Sequence, residues 1–405
     1  MTVRRILTAN LKFLFLFIIS LSSFSSDFFP PDYEYSKSRF LKNCKKTLSL
    51  FPLSKIGSIK IDNASLTVDH ILIQKNSSAK KLIVLTSGTH GPEAYAGSAI
   101  QTIFFNEVLQ NIDLEKVSVL IVHALNPWGF KHNRRGTQKN INLNRNFSLS
   151  SKLFRIKNEN YLKIKNQLEV REPVTTTFNY PSANLAWQML TRKNVNLDSL
   201  TEAVGRGQYT SPTGINYGGS DFEPQVKSMI SLFKEVTPKF KHIFHIDLHT
   251  GLGDNGVLHI MTNDEMNQIS KKNLKKIFLE ERDSDNYELT NSNTHGFYKI
   301  LGDYAAIISL INPEPEKVII GITAEFGTVG RGLFGKLTTA NRLIRENQGH
   351  FSGYTSEKVK KAVIKDYLEL FNPSDESWKK NVLRKGRYLL KTIIRRFINL
   401  ETSNS

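Results

Sequence analysis

Two short stretches place imidazoles and carboxylates at spacings that suit a metal ion. His90 and Glu93 stand three residues apart in Ser87-Gly88-Thr89-His90-Gly91-Pro92-Glu93, a glycine-containing turn. Two donors at this spacing on a turn converge on one cation, and zinc accepts such a nitrogen and oxygen set while keeping a position for water. By itself an H-x-x-E turn is equally compatible with a structural role. His245-Ile246-Asp247-Leu248-His249-Thr250-Gly251 supplies the further candidates. On a helix, His245 and His249 would face one metal. The alternation before them and the Thr-Gly-Leu-Gly after them instead predict a strand ending in a loop. That puts His249 at the edge of the sheet and leaves His245 a core histidine lower down. Asp247 either orients a neighbouring ligand or caps the following loop.

A third stretch, Ile322-Thr323-Ala324-Glu325-Phe326-Gly327-Thr328, ends an apolar run with a carboxylate. Such a group is expensive to bury unless something uses its charge. Beside an activated water, Glu325 would act as general base and then general acid; the plainer reading is a structural ion pair. The fourth stretch is Asn126-Pro127-Trp128-Gly129-Phe130, then Arg134-Arg135, then Asn142-Leu143-Asn144-Arg145-Asn146-Phe147. Guanidinium groups bind carboxylates bidentately and stabilise a developing oxyanion, although an arginine pair alone would usually be a solvated face.

The elements that must position these residues are short apolar, β-branched runs. Lys81 to Thr86, Val117 to Ala124, Ile243 to Leu248 and Val318 to Ala324 have the character of buried central strands. Ala94 to Leu109, Gln225 to Glu235 and Glu357 to Phe371 read as amphipathic helices. Strands alternating with helices predict an α/β chain with a mixed, largely parallel central sheet and helices on both faces. The four polar stretches then fall at strand carboxyl ends, where open α/β sheets bind ligands. Residues 148–222 read as a long excursion with little sheet character, of the kind that shapes a substrate site.

The chain has 405 residues, 40% of them hydrophobic and 23% charged, which excludes collagen-like, coiled-coil and wholly disordered classes. A single cysteine, Cys44, excludes an intramolecular disulfide and any cysteine-rich zinc module, so a metal here needs His and carboxylate ligands. The 55 Lys and Arg against 37 acids give a formal charge of +18, which favours an anionic partner, surface or substrate. Arg4 and Arg5 precede a nine-residue, mostly apolar run, Phe13 to Leu21, and a Ser-rich stretch. Residues 1–26 thus read as a signal peptide directing export, with an uncleaved anchor or a cytoplasmic chain as the alternatives. Residues 27–397 read as one domain and 398–405 as a polar tail. Apolar residues at helical spacing between Lys379 and Arg396 predict a cationic helix docked on the domain, with anionic membrane contact as the alternative. No nucleic-acid partner is expected.

Taken in order, H-x-x-E, N-P-x-G-F, R-R, N-R-N-F, D-L-H-T-G and A-E-F-G-T resemble the zinc carboxypeptidase superfamily, which also contains aspartoacylase and succinylglutamate desuccinylase. The match is closest to its uncharacterised bacterial branch. There it extends from Asp27-Phe28-Phe29-Pro30-Pro31-Asp32-Tyr33 through Gly207-Gln208-Tyr209 and Tyr217-Gly218-Gly219 to Phe371-Asn372-Pro373 and Trp378. The resemblance implies the carboxypeptidase-like (phosphorylase/hydrolase-like) fold and one zinc ion on His90, Glu93 and His249. It also implies that Glu325 activates water, Arg135 in preference to Arg134 stabilises the oxyanion, and Asn144 and Arg145 hold a substrate carboxylate. One position departs: the family commonly has Asp where this chain has Asn142, the residue thought to accept from the first zinc histidine. Without the full charge, it should enrich the ligand's basicity less and alter metal affinity.

The resulting expectation is a zinc-dependent amide hydrolase acting on a peptide, cell-wall peptides included, or on an N-acyl amino acid with a free carboxylate. Alternatives are a small-molecule N-acyl amino acid deacylase and a non-catalytic zinc-containing protein of the cell envelope. His295 and Tyr298 are possible pocket walls.

Overall fold

The near-continuous apolar runs become the inner strands of an eight-stranded sheet. The computed structural model describes residues 27–61, 66–177, 202–290 and 300–401. The leader, the central part of the long excursion, His295, Tyr298 and the last four residues of the tail lie outside the described residues. In chain order the strands are β1 (Lys55–Lys60), β2 (Thr67–Ile73), β3 (Lys81–Ser87), β4 (Val117–His123), β5 (His242–Gly251), β6 (Leu258–Thr262), β7 (Glu288–Thr290) and β8 (Val318–Gly327). Their spatial order is β1-β2-β4-β3-β5-β8-β6-β7. The four inner strands β4, β3, β5 and β8 run parallel. Antiparallel contacts join β1 to β2, β2 to β4 and β6 to β8, while β6 and β7 are parallel. The sheet is therefore mixed and largely parallel.

Alternate residues of each strand enter different cores, as the two-residue period requires. Ile83, Leu85, Val119, Ile121, Phe244 and Ile246 face one layer, which includes Ala99, Ile103 and the C-terminal helical segment. Leu82, Val84, Leu120, Val122 and Ile243 face the other, with Val226, Met229 and Phe233 of the helix Pro224–Val236. Helices thus cover both faces, and the inner strands are buried along their length.

Helix boundaries differ from the expected ones in places. The helix opening at Ala94 is regular only to Ile103, then widens into a five-residue π turn, Phe104–Val108, and a tight turn, Leu109–Asn111. Glu357–Leu368 ends three residues early. The cationic C-terminal segment forms Glu376–Tyr388, a π turn Leu389–Ile393 and Ile394–Ile398. Its apolar face is spent on the core, with Trp378, Val382, Leu390 and Ile394 buried. Lys81 caps it by donating from Nζ to the carbonyls of Ile398 and Leu400. Among the described residues no helix is long and apolar enough to cross a membrane.

Candidate metal centre and cavity

Two tight backbone approaches bring the motifs together. Gly88 adopts φ +70 just beyond β3, where an added Cβ would meet the Ala124 backbone at 3.0 Å. At Gly91 a Cβ would lie 2.0 Å from the Gly129 backbone, so the H-x-x-E turn and the N-P-x-G-F turn pack with no side chain between them. Pro92 then starts a single 3-10 turn, Gly91–Glu93, that runs into the helix from Ala94 and projects Glu93 inward. The third and fourth motifs meet by register: His249 on β5 is the direct partner of Glu325 on β8.

His90, Glu93 and His249 are buried, and one ligand atom from each lies within 4.8 Å of the others. Nδ1 of His90 is 2.7 Å from Glu93 Oε1, and Nδ1 of His249 is 2.8 Å from Glu93 Oε2. Both Nε2 atoms face oxygen acceptors. Asn142 Oδ1 lies 2.9 Å from Nε2 of His90, and Asp247 Oδ2 lies 2.5 Å from Nε2 of His249. Each ring therefore has an oxygen on both sides; with the Nε2 proton held by the acceptor behind it, each Nδ1 would be left to donate its lone pair to an ion at the shared centre, the arrangement metal-ligating histidines need. Two imidazoles and one carboxylate with a side open to a cavity form a donor set that fits zinc.

Asp247 orients His249 and, among the described residues, does not cap the loop. It is fully buried and accepts from the hydroxyls of Thr86, at 2.7 Å, and Thr89, at 3.0 Å, as well as facing His249. His245 is a core residue, its Nε2 3.2 Å from Thr86 Oγ1 and its ring against Tyr304.

The two arginines separate. Arg135 lines the cavity and donates from Nη1 to Glu93 Oε1 at 2.8 Å. Its N–H donates to Tyr367 Oη at 2.9 Å, its Nε to Asn216 Oδ1 at 3.3 Å, and its guanidinium lies over the Phe371 ring. Arg134 turns away into a buried ion pair, Nε to Glu346 Oε1 at 3.0 Å. Asn144 and Arg145 also line the cavity. Asn144 Oδ1 accepts from the Tyr304 N–H at 2.9 Å, and Arg145 donates to the carbonyls of Gly205 and Asn144, which fixes its guanidinium in the wall. All seven residues expected at the site, His90, Glu93, His249, Glu325, Arg135, Asn144 and Arg145, surround one cavity.

Residues 29–385 match a family described as "Protein of unknown function (DUF2817)". The chain belongs to that family. No curated protein matches it. Similar solved structures include bovine thrombin-activatable fibrinolysis inhibitor in complex with tick carboxypeptidase inhibitor, at 13% identity and TM-score 0.46, covering 81% of this chain and 96% of that one. Carboxypeptidase A from Helicoverpa armigera is similar at 12% identity and TM-score 0.42, covering 80% of this chain and 71% of that one. A metallo-carboxypeptidase from Burkholderia cenocepacia is similar at 9% identity and TM-score 0.39, covering 82% and 67%.

In this DUF2817 member the site's electrostatics follow from burial and close charges. Burial, reinforced by the Glu93 charge, pushes the Glu325 carboxyl up to about 7, and its Oε1 accepts from the Leu252 N–H at 2.8 Å. Glu93 goes the other way: burial opposes its charge, but His90 and His249 hold it well below the usual range. Burial and then Arg135 lower His90 to about 4. Two carboxylates that line one cavity are thus driven in opposite directions, the pattern that separates a charge holder from a proton carrier. Sequence reasoning gave no role to Asn216, Tyr367 or Phe371, which place Arg135, although Phe371 stood in the stretch Phe371-Asn372-Pro373 that carries the resemblance. The φ of +52 at Asn216 is visible in the fold alone.

Proposed function

We propose that this chain is a zinc-dependent hydrolase of amide bonds, acting in the manner of a metallocarboxypeptidase on a peptide or N-acyl amino acid with a free carboxylate. The observation that carries this reading is the register of β5 and β8. It sets a buried carboxyl of raised pKa, Glu325, beside the inward-aimed donors of His90, Glu93 and His249.

An ion held by those three donors would acidify a water and polarise the scissile carbonyl. Glu325 takes a proton from the attacking water and returns it to the leaving nitrogen, a role suited to a carboxyl poised near neutrality. Arg135, held by Tyr367, Asn216 and Phe371, presents its guanidinium where negative charge develops on the carbonyl oxygen. Asn144 and Arg145 hold the substrate carboxylate and fix the reacting bond in place. The apolar wall formed by Val204, Leu252, Leu343 and Leu370 limits water around these charges.

The test is hydrolysis of carboxypeptidase-type peptides and N-acyl amino acids by the zinc-loaded protein, with a chelator control. Chelator-sensitive release of the residue bearing the free carboxylate is the expected result. Turnover of N-acyl amino acids alone would make the chain a small-molecule deacylase, and bound zinc with no turnover of either class would overturn the hydrolase reading.

A further inference from the structure

A second cavity shares a wall with the first: Met261, Ile300 and Thr323 line both. Thr323 lies two residues before Glu325 on β8, so both side chains project from the same face of the sheet. Met261 is the register partner of Thr323 on β6. A substrate residue held by Asn144 and Arg145 beside Glu325 therefore has its side chain next to this shared wall.

Beyond the wall the charge changes sign. The catalytic cavity carries both cations and carboxylates, but the described charged residues around the second cavity are Asp264, Glu265 and Asp303, with no Lys, Arg or His among the described lining residues. In a chain with 55 cationic side chains against 37 acidic ones, that balance runs opposite to composition.

Asp303 is the carboxylate that the fold positions. Its Oδ1 accepts from the Ala305 N–H at 3.1 Å, the single hydrogen bond its side chain makes among the described residues. The turn that carries it is clamped to the same box that supplies Asn144 and Arg145. Gly302, at φ +70, lies so close to Arg145 that a Cβ would meet its carbonyl at 2.6 Å. The Phe147 N–H donates to the Gly302 carbonyl at 3.2 Å, and the Tyr304 N–H to Asn144 Oδ1 at 2.9 Å. Burial raises the Asp303 carboxyl to about 6, outweighing the Ala305 N–H and the charge of Arg145. A cation delivered to a carboxyl in that condition restores its charged form, whereas an apolar or acidic group does not.

Resting on the hydrolase reading above, we propose that the preferred substrates carry a cationic side chain, an amine or a guanidinium, on the residue bearing the free carboxylate. That side chain passes Met261, Ile300 and Thr323 to pair with Asp303. Asp303 is a specificity-determining residue and takes no part in the bond cleavage.

The experiment uses the zinc-loaded full chain and peptides identical except for a last residue of lysine, norleucine or glutamate. Lysine should exceed norleucine in kcat/KM by about tenfold or more, with glutamate lowest. Asp303→Asn should bring the lysine to norleucine ratio to within about threefold, and Asp303→Glu should restore part of it. Calorimetric binding of free lysine and norleucine gives a readout without turnover, and lysine should bind more tightly in an Asp303-dependent way. Norleucine peptides cleaved as well as lysine peptides, or a ratio unmoved by Asp303→Asn, would overturn this inference and leave the hydrolase standing. Asp303-dependent lysine binding without hydrolysis of any peptide would support the cationic pocket and sink the hydrolase. Neither binding nor turnover would sink both.

Discussion

Asn142 and Asn216 are joined by a hydrogen bond of 2.7 Å from the amide N–H of the first to the side-chain carbonyl of the second. That bond extends a chain from His90 to the cavity arginine, because Asn142 Oδ1 faces His90 while Asn216 Oδ1 also accepts from Arg135 Nε. An amide is the side chain that accepts on one side and donates on the other. A carboxylate at 142 would add charge behind His90 but would oppose the Asn216 carbonyl with no proton to share.

The first prediction follows from that geometry. Asn142→Ala removes the acceptor behind His90 and should weaken zinc binding by about 10–100-fold, measured by chelator competition. Asn142→Asp should hold zinc at least as well as the native chain yet turn over more slowly, since the link to Arg135 is broken. Unchanged zinc affinity in Asn142→Ala would show that His90 is oriented by something else.

Glu325 is the proton carrier in the proposed reaction and is not among the three converging ligand atoms. Glu325→Gln keeps the shape of the side chain and removes its basicity. Zinc content should stay at the native level, while kcat falls by about 10²–10⁴-fold. Loss of zinc from this variant, or retention of turnover, would contradict the assigned role.

The pH dependence has a definite sign. Burial and the Glu93 charge push Glu325 up to about 7, and the base is its deprotonated form. Activity should therefore be lost as the pH falls through the carboxyl's titration. A cation beside the carboxylate favours that charged form, so the acidic limb of kcat in the zinc-loaded enzyme should lie between the unperturbed value of about 4.3 and about 7. A rate that stays flat through that interval would mean that Glu325 does not titrate during turnover.

How much of this was legible beforehand depends on how each element earns its burial. The inner strands β3, β4, β5 and β8 are buried on both faces, so they stand out as unbroken apolar runs. The outer strands do not: Lys55-Ile56-Gly57-Ser58-Ile59-Lys60 is partly exposed at an edge, and β7 is three residues long. The helix Leu333–Ser352 was missed because a Gly-rich stretch precedes it and Asn, Gly and Thr interrupt its apolar stripe. At the site, each expected residue had a strand end or a tight turn to mark it. Asn216 and Tyr367 had neither, since their contribution is contact across 81 and 232 residues of chain with Arg135. Asp303 is similarly silent in sequence, being placed by Gly302 and Tyr304 against the Arg145 box.

Adjacent arginines should fail in different ways. Arg134 and Glu346 keep only 8% and 10% of their side-chain surfaces exposed, and burial raises the Glu346 carboxyl even with Arg134 beside it. Arg134→Met leaves that carboxyl without its partner, and breaking a buried pair from one side costs about 3–5 kcal/mol. The expected outcome is a clear drop in thermal midpoint, with residual activity per folded molecule. Arg135 is 21% exposed at the cavity, and in the proposed reaction its loss removes the donor assigned to the reacting carbonyl. Arg135→Met should keep a midpoint much nearer the native one while kcat/KM falls by about 10²–10³-fold. Calorimetric melting and steady-state kinetics on both variants check the pair of expectations together. If the kinetic loss followed Arg134 and the stability loss followed Arg135, the oxyanion role would belong to the wrong residue.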